Sequence, residues 1–197
     1  MIILGLTGGV GMGKSACAEL LRGRSVPVVD TDDLARQVVA PGEAALAEIR
    51  SAFGEGVFEG DGGLNRGELA RIVFLDADAR KRLERILHPR IRQLWHAQAD
   101  SWRSEGRPMC AVIIPLLFET GAEKELDATI CVACSEATQY QRLAARGWSG
   151  DQILQRVRAQ LPIEEKMLRS DFVIWTEGGM ELNVEQLERI HGLVASS

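Results

Sequence analysis

Aromatic side chains are scarce in this sequence, at 5% of residues with a single tyrosine, so aliphatic groups must fill most of any core. Basic residues do not exceed acidic ones: 23 Lys and Arg stand against 28 Asp and Glu, giving a net charge of −5. That balance excludes a general nucleic-acid binder, which needs a basic surface. It still allows a local cationic cleft for a phosphorylated small molecule. No apolar run is long enough to span a membrane; Met1–Leu6 is followed at once by glycines. The start also lacks a basic region and a long apolar stretch of the secretory type, so a cytoplasmic location is expected. There is no internal repeat and no low-complexity linker.

Cysteine is sparse, with Cys17, Cys110, Cys131 and Cys134. Cys131 and Cys134 form a C-x-x-C pair, but it falls in an apolar segment with strand character. Positions i and i+3 of a strand face opposite ways, and no second pair completes a zinc site. Buried, reduced cysteines are therefore expected. Cys17 follows a glycine-rich segment, where oxidation could interfere with a ligand.

What is present is an alternation of short apolar runs and amphipathic segments over 197 residues. Strands are predicted at Ile2–Leu6, Val26–Val29, Met109–Ile114, Ala128–Cys134 and Phe172–Trp175. Helical patterns lie between them, including Ser15–Arg22, Leu34–Val39, Glu43–Phe53, Glu136–Ala145, Ser149–Gln160 and Leu182–Val194. From Arg66 to about Arg103 the pattern is helical, with a break expected near His88-Pro89 because proline disfavours helix in the residue before it. Gly54–Gly63 is predicted to be a loop or hairpin-like excursion. Alternating strands and helices imply a parallel sheet covered on both faces, a three-layer α/β/α fold with a five-stranded parallel sheet.

The strongest local signal is Gly8-Gly9-Val10-Gly11-Met12-Gly13-Lys14-Ser15, which satisfies G-x-x-x-x-G-K-[ST] between a predicted strand and a predicted helix. Such a loop turns backbone N–H groups onto phosphate oxygens and adds the positive end of the helix dipole. Lys14 would reach the β- and γ-phosphates of ATP, and Ser15 would ligate Mg²⁺. The dinucleotide fingerprint G-x-G-x-x-G is not formed here.

A phosphoryl transferase needs a group to accept or orient the proton of the attacking hydroxyl. Asp30, Asp32 and Asp33 follow the second strand, at the sheet edge where ligands bind in open α/β folds. Extended backbone there would point Asp30 and Asp32 the same way, and Asp33 fits a helix cap. Arg142 and Arg146 are spaced for one helical face, with Gln139, suiting either closure over a triphosphate or a solvated charged face. His88, beside the proline, fits a structural role or a substrate contact. Glu119 follows Pro115-Leu116-Leu117-Phe118 at the end of the third strand, where a substrate or metal-water role is open.

Taken together these blocks resemble the bacterial dephospho-CoA kinases along nearly the whole chain. The resemblance rests on Gly5–Ser15; on Val29-Asp30-Thr31-Asp32 with Ala35–Val39 and Pro41-Gly42; and on Phe53-Gly54, Asp61-Gly62, Leu64-Asn65-Arg66, Val73-Phe74 and Leu87-His88-Pro89. It is completed by Pro115–Glu119 and by Gln139, Arg142, Leu143 and Arg146.

The resemblance implies a P-loop NTPase fold with a helical substrate-binding insertion and a lid. The nucleotide core would be about residues 1–40, 108–134 and 168–197, the insertion about 41–107 and the lid about 135–167. It implies transfer of the ATP γ-phosphoryl group to the 3′-hydroxyl of dephospho-CoA. Asp32 would be the base, with Lys14 and Arg142 catalytic. Gly8, Gly9, Gly11, Met12, Gly13, Lys14, Ser15, Ala16, Arg142, Arg146 and Thr176 would meet the nucleotide. Asp32, Arg66, His88 and Glu119 would meet the acceptor, and Ser15 the metal. A monomer or weak homo-oligomer is expected. Two departures stand out: Asn65 replaces the family's usual Asp, and Thr176 ends Val173-Ile174-Trp175 where the family shows Asn. Thr176 lacks the amide's paired donor and acceptor, which bears on base selectivity or ATP affinity rather than on the phosphoryl chemistry. The competing readings are another P-loop kinase of nucleotides or small metabolites, and a non-catalytic nucleotide-binding module.

Overall fold

The computed structural model describes residues 1–195. The chain forms two compact units: Met1–Asp30 with the chain from Ser101 onward, and Thr31–Asp100.

The first unit is built on a sheet of five strands, β1 (Ile2–Thr7), β2 (Val28–Asp30), β3 (Met109–Ile113), β4 (Ala128–Ala133) and β5 (Phe172–Trp175). All pairs are parallel, in the order β2-β3-β1-β4-β5. The chain steps from β3 across β1 to β4, so the sheet changes direction around β1, the kind of position at which open α/β sheets bind ligands. The strands are near-continuous apolar runs because both faces are covered; β3 and β4 are buried at every position. Helices α1 (Lys14–Gly23) and α10 (Met180–Ala195) cover one face, where Leu4, Leu6, Ile130 and Val132 pack with Cys17, Leu21, Leu187 and Ile190. The predicted strands and the α/β class are all found.

The second unit is helical: α2 (Thr31–Gln37), α3 (Ala44–Phe53), α4 (Arg66–Leu75) and most of α5 (Ala77–Ser104). Its core gathers Val38, Val39, Ile49, Val57 and Leu69, with Leu83, Ile86, Leu87 and Ile91 from α5. The excursion at Gly54–Gly63 is hairpin-like: Phe58 bridges Leu64, and Glu59 N–H donates to Gly63 O at 2.7 Å.

Three local expectations need correction. The helix does not break at His88-Pro89; α5 runs through Pro89, and the break lies at Asp76. Proline removes one helical hydrogen bond, at a cost of about 3 kcal/mol. The apolar stripe of Leu83, Ile86, Leu87 and Ile91 continues past Pro89 into the core and outweighs that loss. Asp76 supplies the real boundary by accepting from Asp78 N–H (2.8 Å) and Ala79 N–H (3.1 Å). Second, the segment after β2 is helical from Thr31, so Asp30 and Asp32 do not share extended geometry, and Asp33 lies inside the first turn, paired with Arg36. Third, the lid segment holds α7 (Glu136–Ala145), a shorter α8 (Gly150–Arg158) and a further helix, α9 (Ile163–Arg169); a short α6 (Leu117–Thr120) follows β3. Gln160 thus falls outside α8.

Candidate active site

The glycine-rich segment leaves the C-terminal end of β1 and turns into α1. Gly8 has φ of +138°, and a Cβ there would lie 2.1 Å from the Val132 carbonyl oxygen, so no other residue fits. Gly13, with φ of +103°, is the N-cap of α1, and no side chain caps that helix end. Its first-turn N–H groups are the orphan donors that an anion can satisfy. Met12 is buried under the loop against Ala133, Cys134, Ile163 and Met167, so its side chain is structural while its backbone shapes the cradle. Ser15 stands exposed in the first turn of α1, followed by half-buried Ala16.

Lys14 Nζ donates to Gly8 O (2.8 Å) and Gly9 O (2.9 Å). The ammonium thus stands inside the curve of the loop, where a triphosphate would find it. Gln139, on α7 and buried, donates from Nε2 to Val10 O at 2.7 Å. Arg142, one turn on, donates from Nη1 to the Thr176 hydroxyl (2.8 Å) and from Nη2 to the Thr176 carbonyl (2.6 Å). The buried Thr176 hydroxyl lies 2.9 Å from the Met12 carbonyl, to which it donates. Arg142, Thr176 and the phosphate loop therefore form one connected cluster. Arg146 does not continue the Arg142 face: α7 ends at Ala145, and Arg146 is its exposed C-cap before Gly147 at φ of +83°.

Glu119 is placed at the end of β3, as its position in the sequence implies. Its Oε1 accepts from Lys166 Nζ and from Leu161 N–H, both at 2.8 Å. Lys166 is fully buried and also donates to Pro115 O at 2.7 Å. In the helical unit, Asp32 occupies the first turn of α2, and Arg66 opens α4 and donates to Arg36 O at 3.3 Å. His88 lines an open depression of ≈ 850 Å³ along α5 with Asp78, Lys81, Arg82, Glu84, Arg85 and Pro89. Three basic side chains and a histidine suit that surface to an anionic ligand. Asn65 caps α4 by accepting from Glu68 N–H at 2.9 Å, a task that asparagine performs as well as aspartate.

Sequence reasoning missed three residues. Lys166 sits in a helical pattern whose charge suggests solvent, yet it is buried. Glu177, in a glycine-rich turn, accepts from Ser135 N–H at 2.9 Å and from its hydroxyl. The hydrogen bonds from Ser135 and then Thr138 hold its carboxyl down at about 2 and fasten it to the start of α7. Gln160 is the third; its only signal was Pro162 close behind, which marks a helix end. The cysteines are free and buried, and burial pushes the thiols of Cys17, Cys110 and Cys131 up to about 11.

Among the described residues no cluster of three or more His, Cys, Asp or Glu could hold a metal. Mg²⁺ commonly takes one or two protein ligands and completes its shell with phosphate oxygens and water. The exposed Ser15 hydroxyl beside an uncapped helix N-terminus fits that mode. No helix among the described residues is long and apolar enough to cross a membrane.

Comparison with known proteins gives a consistent result. The family model described as dephospho-CoA kinase matches residues 2–181. A dephospho-CoA kinase of Anaeromyxobacter dehalogenans is 43% identical over 191 residues, covering 96% of this chain and 90% of that protein. Among solved structures, the TT1252 protein of Thermus thermophilus aligns with a TM-score of 0.87 at 37% identity, covering 98% of this chain and 96% of the other. A dephospho-CoA kinase from Campylobacter jejuni aligns with a TM-score of 0.72 at 25% identity, covering 98% of both chains.

Proposed function

Because the chain belongs to the dephospho-CoA kinase family, we propose that it transfers the γ-phosphoryl group of ATP to the 3′-hydroxyl of dephospho-CoA, releasing coenzyme A and ADP. The observation that carries this reading is the phosphate loop, with the Lys14 ammonium held inside its curve by Gly8 and Gly9.

In this reading backbone N–H groups of Gly11 to Ala16 bind the phosphates, and Lys14 exchanges its loop carbonyls for β- and γ-oxygens. Ser15 holds Mg²⁺, which supplies charge neutralisation at the phosphates. Arg142 and Arg146 face the charge that develops on the transferred group. Asp32 accepts the proton of the attacking hydroxyl as the oxygen–phosphorus bond forms and the bond to ADP breaks. Arg66 and His88, with the basic residues along α5, receive the acceptor in the helical unit, and residues 135–167 act as the lid. Glu119, tied to Lys166 and Leu161, shapes the acceptor side by holding the lid's base. Free, protonated cysteines agree with a cytoplasmic location.

A coupled ADP-release assay tests the proposal. Dephospho-CoA with Mg²⁺ and ATP should give turnover, and nucleoside monophosphates should not. Turnover of a nucleoside monophosphate without turnover of dephospho-CoA would reverse the acceptor assignment.

A further inference from the structure

The Gly9–Val10 peptide is held from both edges. Its carbonyl accepts from Lys14 Nζ at 2.9 Å and, more distantly, from Met12 N–H at 3.3 Å. Its N–H donates to Gln160 Oε1 at 3.0 Å. A trans peptide is planar and points its C=O and N–H in opposite directions, so Lys14 and Gln160 grip one rigid plate by its two ends. The next plate is held as well, through Gln139 Nε2 on Val10 O at 2.7 Å.

We infer that Gln160 is a positioning residue for Lys14: it fixes the Gly9–Val10 peptide with its carbonyl turned toward the ammonium. The inference rests on the reading of Lys14 as the phosphate-binding cation. Glycine resists rotation of a neighbouring peptide less than any other residue. Without an acceptor for Val10 N–H, rotation about Gly9 turns that N–H toward the like-signed ammonium and removes one of the two loop carbonyls that aim it. The lysine then approaches the phosphates along a different line.

Gln160 has a firm base from which to act. Its own N–H donates to Val157 O at 3.2 Å, closing the end of α8. The adjoining Leu161 N–H donates to Glu119 Oε1 at 2.8 Å, and that carboxylate is in turn bound by the buried Lys166. A run of contacts thus leads from a buried ion pair under the lid to the orientation of the catalytic cation. It also gives Glu119 and Lys166 a part in the reaction that touches no substrate.

The test compares Gln160→Met, equal in length without an acceptor, with Gln160→Glu, which keeps the acceptor, and with Gln160→Ala should the methionine variant fold poorly. Gln160→Met is expected to lower kcat about tenfold to a hundredfold, with KM for ATP within about threefold of wild type. Its thermal midpoint should match that of Gln160→Glu, whose kcat should lie within about threefold of wild type. A wild-type kcat in Gln160→Met and Gln160→Ala overturns the inference. So does a Gln160→Glu enzyme as slow as Gln160→Met, or a loss seen only in KM. Lys14→Ala, assayed alongside, separates the layers: wild-type activity there removes the underlying role of Lys14, whereas an inactive Lys14→Ala with normal Gln160→Met removes only the role of Gln160.

Discussion

The Arg142 guanidinium donates to both the hydroxyl and the carbonyl of Thr176, and that hydroxyl in turn donates to the Met12 carbonyl of the phosphate loop. A hydroxyl has one proton to give, so Thr176 links the lid arginine to the loop through a single oriented group. Thr176→Val keeps the shape and removes the link. Leaving the buried Met12 carbonyl and one Arg142 N–H unpaired should cost about 1–3 kcal/mol of stability. With Arg142 less firmly placed, kcat should fall about tenfold. Urea unfolding and steady-state kinetics measure the two effects.

The departure at position 176 therefore looks different in three dimensions. From the sequence, threonine in place of asparagine removes an amide. In the structure its hydroxyl is engaged by Arg142 and the phosphate loop, a contact between residues far apart in the chain that no local pattern announces. The strands and the phosphate loop were legible because apolar runs, glycines and the Lys-Ser pair are local signals. The continuous α5 was not, since the proline signal is local while the stripe that overrides it is a packing effect. Lys166 escaped for the same reason: charge predicts exposure unless a partner is known, and Glu119 lies far away in sequence.

Glu119→Gln removes the counter-charge of a fully buried lysine. Breaking a buried pair from one side is costly, about 3 kcal/mol. Lys166→Met should cost less, because the Glu119 side chain is 22% exposed and water can reach it. The double variant Glu119→Gln/Lys166→Met should be more stable than Glu119→Gln alone. Chemical denaturation of the four proteins checks the order.

Acid should loosen the start of α7. The Glu177 carboxyl is depressed from the ordinary 4.5 to about 2, chiefly by the Ser135 hydroxyl. A depressed folded-state value stabilises fully above the unfolded value and is lost as pH falls through the folded one. Wild-type thermal midpoints should therefore drop between about pH 4.5 and pH 2 more steeply than those of Glu177→Gln.

Asp32→Asn should leave ATP affinity near that of wild type and lower kcat about 10²- to 10⁴-fold, the range for a positioned proton acceptor. Calorimetric titration with ATP and single-turnover kinetics separate binding from chemistry.

The most direct test of the account is the position of the transferred phosphate. Phosphorus NMR of the products from Mg²⁺, ATP and dephospho-CoA should show a new monoester at the ribose 3′-oxygen with wild-type enzyme and none with Lys14→Ala. A reaction mixture that yields no 3′-phosphate, or one in which Lys14→Ala produces it at the wild-type rate, would contradict it.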